Sequence, residues 1–195
     1  MCAVPTDEIY EKYLQKAILE INELADEIAR AAGGARVPVL GSGHPLADVF
    51  LLKRAPQPAE VQEGVAFYGR AGQAILKSLQ RLRVDPMAIY GTNCLKFVDG
   101  DDHESRPFLT RELHIVGPKL VVAMGEEAVA FLNSVEFPLA DAVDAAAAGL
   151  QRWTPTVQTL VVPDIDASLD EQPAKTRFWN AFKALGPWWA ELPPY

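Results

Sequence analysis

Apolar positions recur along this chain with two distinct periods. From Asp7 onward, Tyr10, Leu14, Ala17, Ile21, Leu24 and Ile28 fall at three- and four-residue spacing with Glu and Lys between them. That pattern predicts an amphipathic helix of about 25 residues, ended by Ala31-Ala32-Gly33-Gly34. Four short apolar runs follow, at residues 48–52, 88–94, 119–124 and 159–163. Each is rich in β-branched residues or bounded by turn residues, and each predicts a buried strand. Helical spacing returns between them, at Ala71, Ile75, Leu76, Leu79 and Leu82, then from Pro107 to Val116, Glu126 to Leu132 and Lys175 to Leu185. Alternating strands and helices predict an α/β chain: a three-layer α/β/α domain around a central, mainly parallel four-stranded sheet. Residues 139–149 read as a small helix and loop, and the tail from Gly186 as a segment packed on the core.

At 195 residues one domain is expected, with residues 1–33 as its N-terminal helix, 37–185 as its core and 186–195 as its tail. The charge balance matters more. A net charge of −8 and a pI near 4.9 oppose binding to a phosphate backbone, which depends on Lys and Arg displacing counterions. Two cysteines, Cys2 and Cys94, make neither a disulfide framework nor a Cys-rich metal site, which fits a reducing cytoplasm. No apolar run approaches the roughly 20 residues a membrane helix needs, so no membrane partner is expected.

The candidate chemistry concentrates in residues 47–72, ADVFLLKRAPQPAEVQEGVAFYGRAG. An apolar strand stops at Lys53-Arg54-Ala55-Pro56-Gln57-Pro58, where two prolines exclude helix interior and central strand. Gly64, Phe67 and then Gly69-Arg70-Ala71-Gly72 open the next helix. Open α/β sheets place ligands at such a strand–loop–helix junction. The wording of the stretch resembles the first motif of the uracil-DNA glycosylase superfamily, closest to its family-4 branch. There a strand leads into GEAPG, two variable residues, Glu-Asp, and then G-R-P-F-x-G-R-A-G. The second strand ends Thr92-Asn93-Cys94-Leu95-Lys96-Phe97, similar to the family's T-N-x-x-K-C. Lys119-Leu-Val-Val-Ala-Met-Gly125 is similar to its P-K-x-I-V-x-L-G segment. The resemblance spans residues 37–185.

The departures are as informative as the matches. The resemblance implies that Asn93 pairs with a flipped base, that Phe67 stacks on it, and that Ala55, Pro56 and Ser168 line the base site. It implies a carboxylate where Arg54 stands, places Glu60 at the motif's Glu, and puts a His where Asp166 stands. The loop after the last strand, Asp164-Ile-Asp-Ala-Ser-Leu-Asp-Glu-Gln172, is acidic where the family carries an apolar and basic wedge. Family-4 members hold an iron–sulfur cluster. Here Phe97 and Ser105 occupy cysteine positions and no N-terminal cysteine pair is present. A cluster needs thiolates, so no cofactor and no metal are expected. The acidic loop Asp99-Gly-Asp-Asp-His-Glu104 offers oxygen ligands for a hard cation, although a solvated loop explains it more simply. His44, before Pro45, reads as a turn residue.

Cleaving a glycosidic bond to uracil releases a base anion, and loss of one donor to such an anion costs about 10²–10³ in rate. An ionised Asp166 repels the anion. A protonated one, its pKa raised by burial, can donate instead. Asp166, Arg54 and Glu60 are therefore the candidate catalytic groups, with Arg54 and Asp166 expected to be neighbours that exchange the family's charge signs. Three functions follow: a nucleobase or nucleic-acid binding module with impaired uracil excision, a DNA glycosylase with weak or shifted base specificity, and a structural or partner-binding protein with no ligand. The corresponding partner is a nucleobase or single-stranded or damaged DNA.

Overall fold

The computed structural model describes residues 6–193. The first helix, α1 (Thr6–Ala32), carries Asp7 and Glu8 in its first turn and Arg30 in its last, charges that complement the helix dipole. Its stripe is buried from Ala17 onward, through Leu24, Ile28 and Ala32, whereas Tyr10 stands 51% exposed. The apolar face thus runs past the end of the surface that covers it.

Strands β1 (Ser42–Gly43), β2 (Val49–Lys53), β3 (Ile89–Asn93), β4 (Leu120–Met124), β5 (Leu150–Arg152) and β6 (Gln158–Val162) form one sheet in the order β1-β3-β2-β4-β6-β5. The inner four are parallel and are the four runs expected from the sequence. The two short edge strands pair antiparallel and carry too few apolar residues to be visible as strands. Every residue of β2, β3 and β4 is buried, as expected of parallel strands covered on both faces.

Helices α3 (Arg70–Leu82), α6 (Gln172–Phe182) and α7 (Leu185–Ala190) cover one face. Ile75, Leu79, Phe178, Phe182, Leu185 and Trp188 pack there on Leu51, Val122 and Leu160. Trp188 also donates its indole N–H to Gln158 at 2.8 Å, so the tail is docked on the core as the sequence suggests. Helices α4 (Asp102–Val116) and α5 (Glu126–Asn133) cover the other face through Leu109, Leu113 and Phe131.

Three local expectations are corrected. Pro58 does not keep its loop irregular; it opens a short helix, α2 (Pro58–Glu63), because the first helical turn needs no proline N–H. Helix α4 starts five residues before Pro107, since the Asp101 carboxylate caps it by accepting from Glu104 N at 2.8 Å. Residues 139–149 form turns rather than a helix. There the Asn133 side chain holds both backbone groups of Val143, and Gln151 holds those of Asp144, giving the backbone an alternative to helical hydrogen bonds.

Candidate functional site

Strand register determines which side chains meet at the carboxyl end of the sheet. Lys53 pairs with Asn93 on one side and Met124 on the other, so these three project together toward the α3/α6 face. The Lys53 side chain is fully buried. Its ammonium donates to the Ala55 carbonyl at 2.9 Å, to Glu60 at 2.7 Å and to Asp166 at 2.9 Å, which uses all three of its protons.

Glu60 is the hub of the loop. One carboxylate oxygen accepts from Lys53 and from Gln57 N, and the other accepts from Phe67 N at 2.5 Å. Those bonds hold Phe67 at φ 61°, a left-handed conformation uncommon for a bulky residue. The glycines nearby make room for it. A Cβ on Gly72 would lie 1.9 Å from the Phe67 carbonyl oxygen, and one on Gly91 would lie 2.7 Å from its ring. Phe67 is thus a half-buried ring lying over Gly91, with the Lys53 ammonium 5.7 Å from its centroid. Gly91→Ala is expected to push the ring aside at a cost of about 1–3 kcal/mol, as overpacking does; an unchanged melting curve and unshifted Phe67 ring resonances would count against this placement.

Asn93 is fully buried, and neither polar atom of its side chain finds a hydrogen-bond partner within the described residues. It does not cap a loop. Its backbone is held instead by Lys96, whose ammonium donates to the Asn93 carbonyl at 2.9 Å, to Thr92 and to Glu112. A buried carboxamide without partners costs free energy, and it marks a place where a ligand's hydrogen-bonding edge would be stabilised.

The remaining candidate residues separate into those brought to this point and those that are not. Pro56 is buried in the same loop and Ala55 presents its carbonyl to Lys53. Ser168 is buried, but its hydroxyl donates to Asp164 O at 2.6 Å and closes its own turn. Arg54 is not beside Asp166. One residue past Lys53, it projects to the opposite face of the sheet, where it pairs with Asp102 at 2.7 Å and Glu127 at 3.6 Å. The neighbour of Asp166 is Lys53. The two-residue strand period puts Lys53 on one face with Val49 and Leu51 and Arg54 on the other, but it does not say what Lys53 meets there. The acidic loop is likewise occupied: Asp101 caps α4, Asp102 pairs with Arg54 and Glu104 pairs with Arg36. The His44 ring accepts from Leu46 N at 3.1 Å, as a turn residue does.

Burial raises the Asp166 pKa above the ordinary carboxylate value; Lys53 opposes the shift, while Asp164 and Glu60 reinforce it. A raised folded-state pKa means that the folded chain binds this proton more readily than the unfolded chain. Relative to Asp166→Asn, the protein should therefore gain stability as pH falls from that raised value toward the unfolded value of about 3.9. Denaturation of the two proteins across this range checks it, and a constant difference would contradict it. Glu104 behaves oppositely. The hydrogen bond from Arg36 lowers its pKa, so its contribution is lost on acidification.

An apolar groove of about 470 Å³ is lined by Leu51, Phe67, Ile75, Ile89 and Gly91 among others. Lys53, Asn93 and Asp166 do not line it.

The description "Uracil DNA glycosylase superfamily" matches residues 40–185. The chain belongs to the uracil-DNA glycosylase superfamily. Type-4 uracil-DNA glycosylases are among its similar relatives. That of Archaeoglobus fulgidus is 24% identical over 159 residues, covering 76% of this chain and 80% of the relative. That of Sulfurisphaera tokodaii is 26% identical over 105 residues, covering 49% of this chain and 48% of the relative. This superfamily member is therefore DNA glycosylase-like, with an α/β fold of the expected kind. The iron–sulfur cluster implied by the family-4 resemblance does not fit the residues present. Phe97 is fully buried against Leu24, Ile28 and Ala32, with the Arg36 guanidinium 4.0 Å above its ring. Ser105 accepts from Lys96 N. Burial pushes the Cys94 thiol up to about 12, far from the thiolate a metal requires.

Proposed function

We propose that this superfamily member binds a nucleobase at Asn93 and is impaired in ordinary uracil excision. The observation that carries the reading is the sealed, unpartnered carboxamide of Asn93. A carboxamide offers one donor and one acceptor, the complement of the N–H and carbonyl of a uracil edge. Phe67, on the same face of β3, supplies an aromatic surface for stacking, as recognition of an extruded base requires.

Impairment follows from charge. Excision leaves a base anion that needs a donor. At this point Lys53 is the cation, and two carboxylates already share it. The cluster carries excess negative charge whenever both are ionised, which opposes a developing anion. The acidic loop from Asp164 to Glu171 and the chain's net charge of −8 also disfavour a phosphate backbone.

A second reading, an active glycosylase with weak or shifted specificity, is favoured by the raised pKa of Asp166, which brings a protonated donor closer to neutral pH. Single- and double-stranded DNA carrying uracil, hypoxanthine or xanthine separates the two. The expected result is binding of free uracil, lost in Asn93→Ala, without base release. Release by the natural protein that disappears in Asp166→Ala would establish the second reading.

A further inference from the structure

We infer that Asp166 is a displaceable internal ligand of Lys53, and that a carbonyl oxygen of a cyclic-imide base takes its place beside Asn93. The inference rests on the nucleobase reading and adds to it a third contact point and a route of entry.

The three partners of the Lys53 ammonium are not equivalent. The Ala55 carbonyl lies two residues away on the same stretch of chain. Glu60 is 1% exposed and is tied to Gln57 N and Phe67 N as well as to Lys53. Neither can leave without dismantling the loop that carries Phe67. Asp166 is different. Its side chain is 18% exposed, and its backbone belongs to a single 3-10 turn, Asp166–Ser168, closed by bonds to Asp164. Rotating its carboxylate away breaks one charged hydrogen bond and leaves that turn closed on itself.

Lys53 and Asn93 are otherwise sealed from solvent, so a ligand must displace something to reach them. Asp166 is the most exposed member of the ion cluster and is removable at least cost. A uracil edge then has three matching partners. Its N3–H and O4 satisfy the two unpartnered atoms of Asn93, and O2 accepts the proton that Lys53 gave to Asp166. Lys53 and Asn93 occupy adjacent strands in register, the separation across which such an edge extends. An ionised carboxylate is a stronger acceptor than a neutral carbonyl, so Asp166 competes with the ligand. Removing it should tighten binding.

The test uses the full chain and two probes: uracil, and 4(3H)-pyrimidinone, which keeps N3–H and O4 but lacks O2. Calorimetric titration of Asp166→Ala is expected to give uracil affinity about tenfold or more above the natural protein, the scale of one charged hydrogen bond. Both probes should gain, since both displace Asp166, and uracil should bind Asp166→Ala more tightly than the pyrimidinone by an excess that adding Lys53→Met removes. Asp166→Asn keeps the shape and should move affinity in the same direction by less, which preserves the test if the alanine variant does not fold. Uracil binding that is unchanged or weaker in both Asp166 variants, yet still lost in Asn93→Ala, overturns the displacement while the nucleobase reading stands. So does equal affinity of the two probes for Asp166→Ala, which would mean that O2 meets nothing at Lys53. Absence of uracil binding in the natural protein and in both Asp166 variants overturns the inference and the nucleobase reading together.

Discussion

Replacing Lys96 with Met should lower stability by about 3–5 kcal/mol, the usual cost of removing one partner from a buried ion pair. Lys96 and Glu112 lie on the α4 side of the sheet with side chains 0% and 2% exposed, their charged atoms 2.5 Å apart. Around them Tyr90 donates to Glu112 at 3.0 Å, and Thr92 bonds both charged groups. Without the ammonium, Glu112 is a carboxylate beside an apolar cluster with only hydroxyls to stabilise it. Burial and this same carboxylate raise the Tyr90 pKa well above its ordinary value, so the phenol stays protonated and keeps donating to Glu112. The cost belongs to the orphaned charge rather than to a favourable pair. Lys96→Met with Glu112→Leu should therefore recover most of the loss. Urea denaturation of the two single variants and the double variant measures this. A Lys96→Met loss below about 1 kcal/mol, or a double variant worse than either single one, would show that the pair is not behaving as buried charge. A functional effect should accompany the structural one, because Lys96 also holds the Asn93 carbonyl.

The layers of the fold were legible because parallel strands buried on both faces must be apolar throughout, and those runs stand out at 48–52 and 119–124. Edge strands such as Ser42–Gly43 were not, since two residues with one polar side chain carry no period. At the candidate site, Asn93 and Phe67 were singled out through motif wording, and the structure brings both to the α3/α6 face at β3. Lys53 was missed. A lysine at the end of an apolar run reads as a strand terminus reaching solvent, whereas here its ammonium turns inward to two carboxylates, one 7 residues away and the other 113. No periodicity in the sequence encodes a contact of that kind. Glu60 was singled out for chemistry, but the structure gives it positioning work: its oxygens are already committed to two backbone N–H groups and an ammonium.

That commitment makes Glu60→Ala the second large effect, an expected loss of about 3–5 kcal/mol. The substitution leaves the Lys53 ammonium with Asp166 as its one remaining charged partner. It also leaves the N–H groups of Gln57 and Phe67 without their acceptor. Phe67 suffers most. Its left-handed backbone, φ 61°, persists only while its surroundings impose it, and such a conformation costs about 1–3 kcal/mol. Once the carboxylate is gone, residues 64–69 should relax, the ring should leave Gly91, and the aromatic wall beside Asn93 should be lost. Glu60→Gln retains an acceptor oxygen but turns an amide donor toward other donors, so its loss should be smaller though still present. Hydrogen exchange separates this account from simple global destabilisation. Under native conditions the Phe67 amide should exchange faster in Glu60→Ala by a larger factor than amides of β4, which report the whole fold. Equal acceleration at both places would mean that Glu60 stabilises the domain without specifically holding the loop. An unchanged Phe67 amide would mean that the hydrogen bond between them carries no weight, and with it the explanation for how this chain keeps an aromatic ring over Gly91.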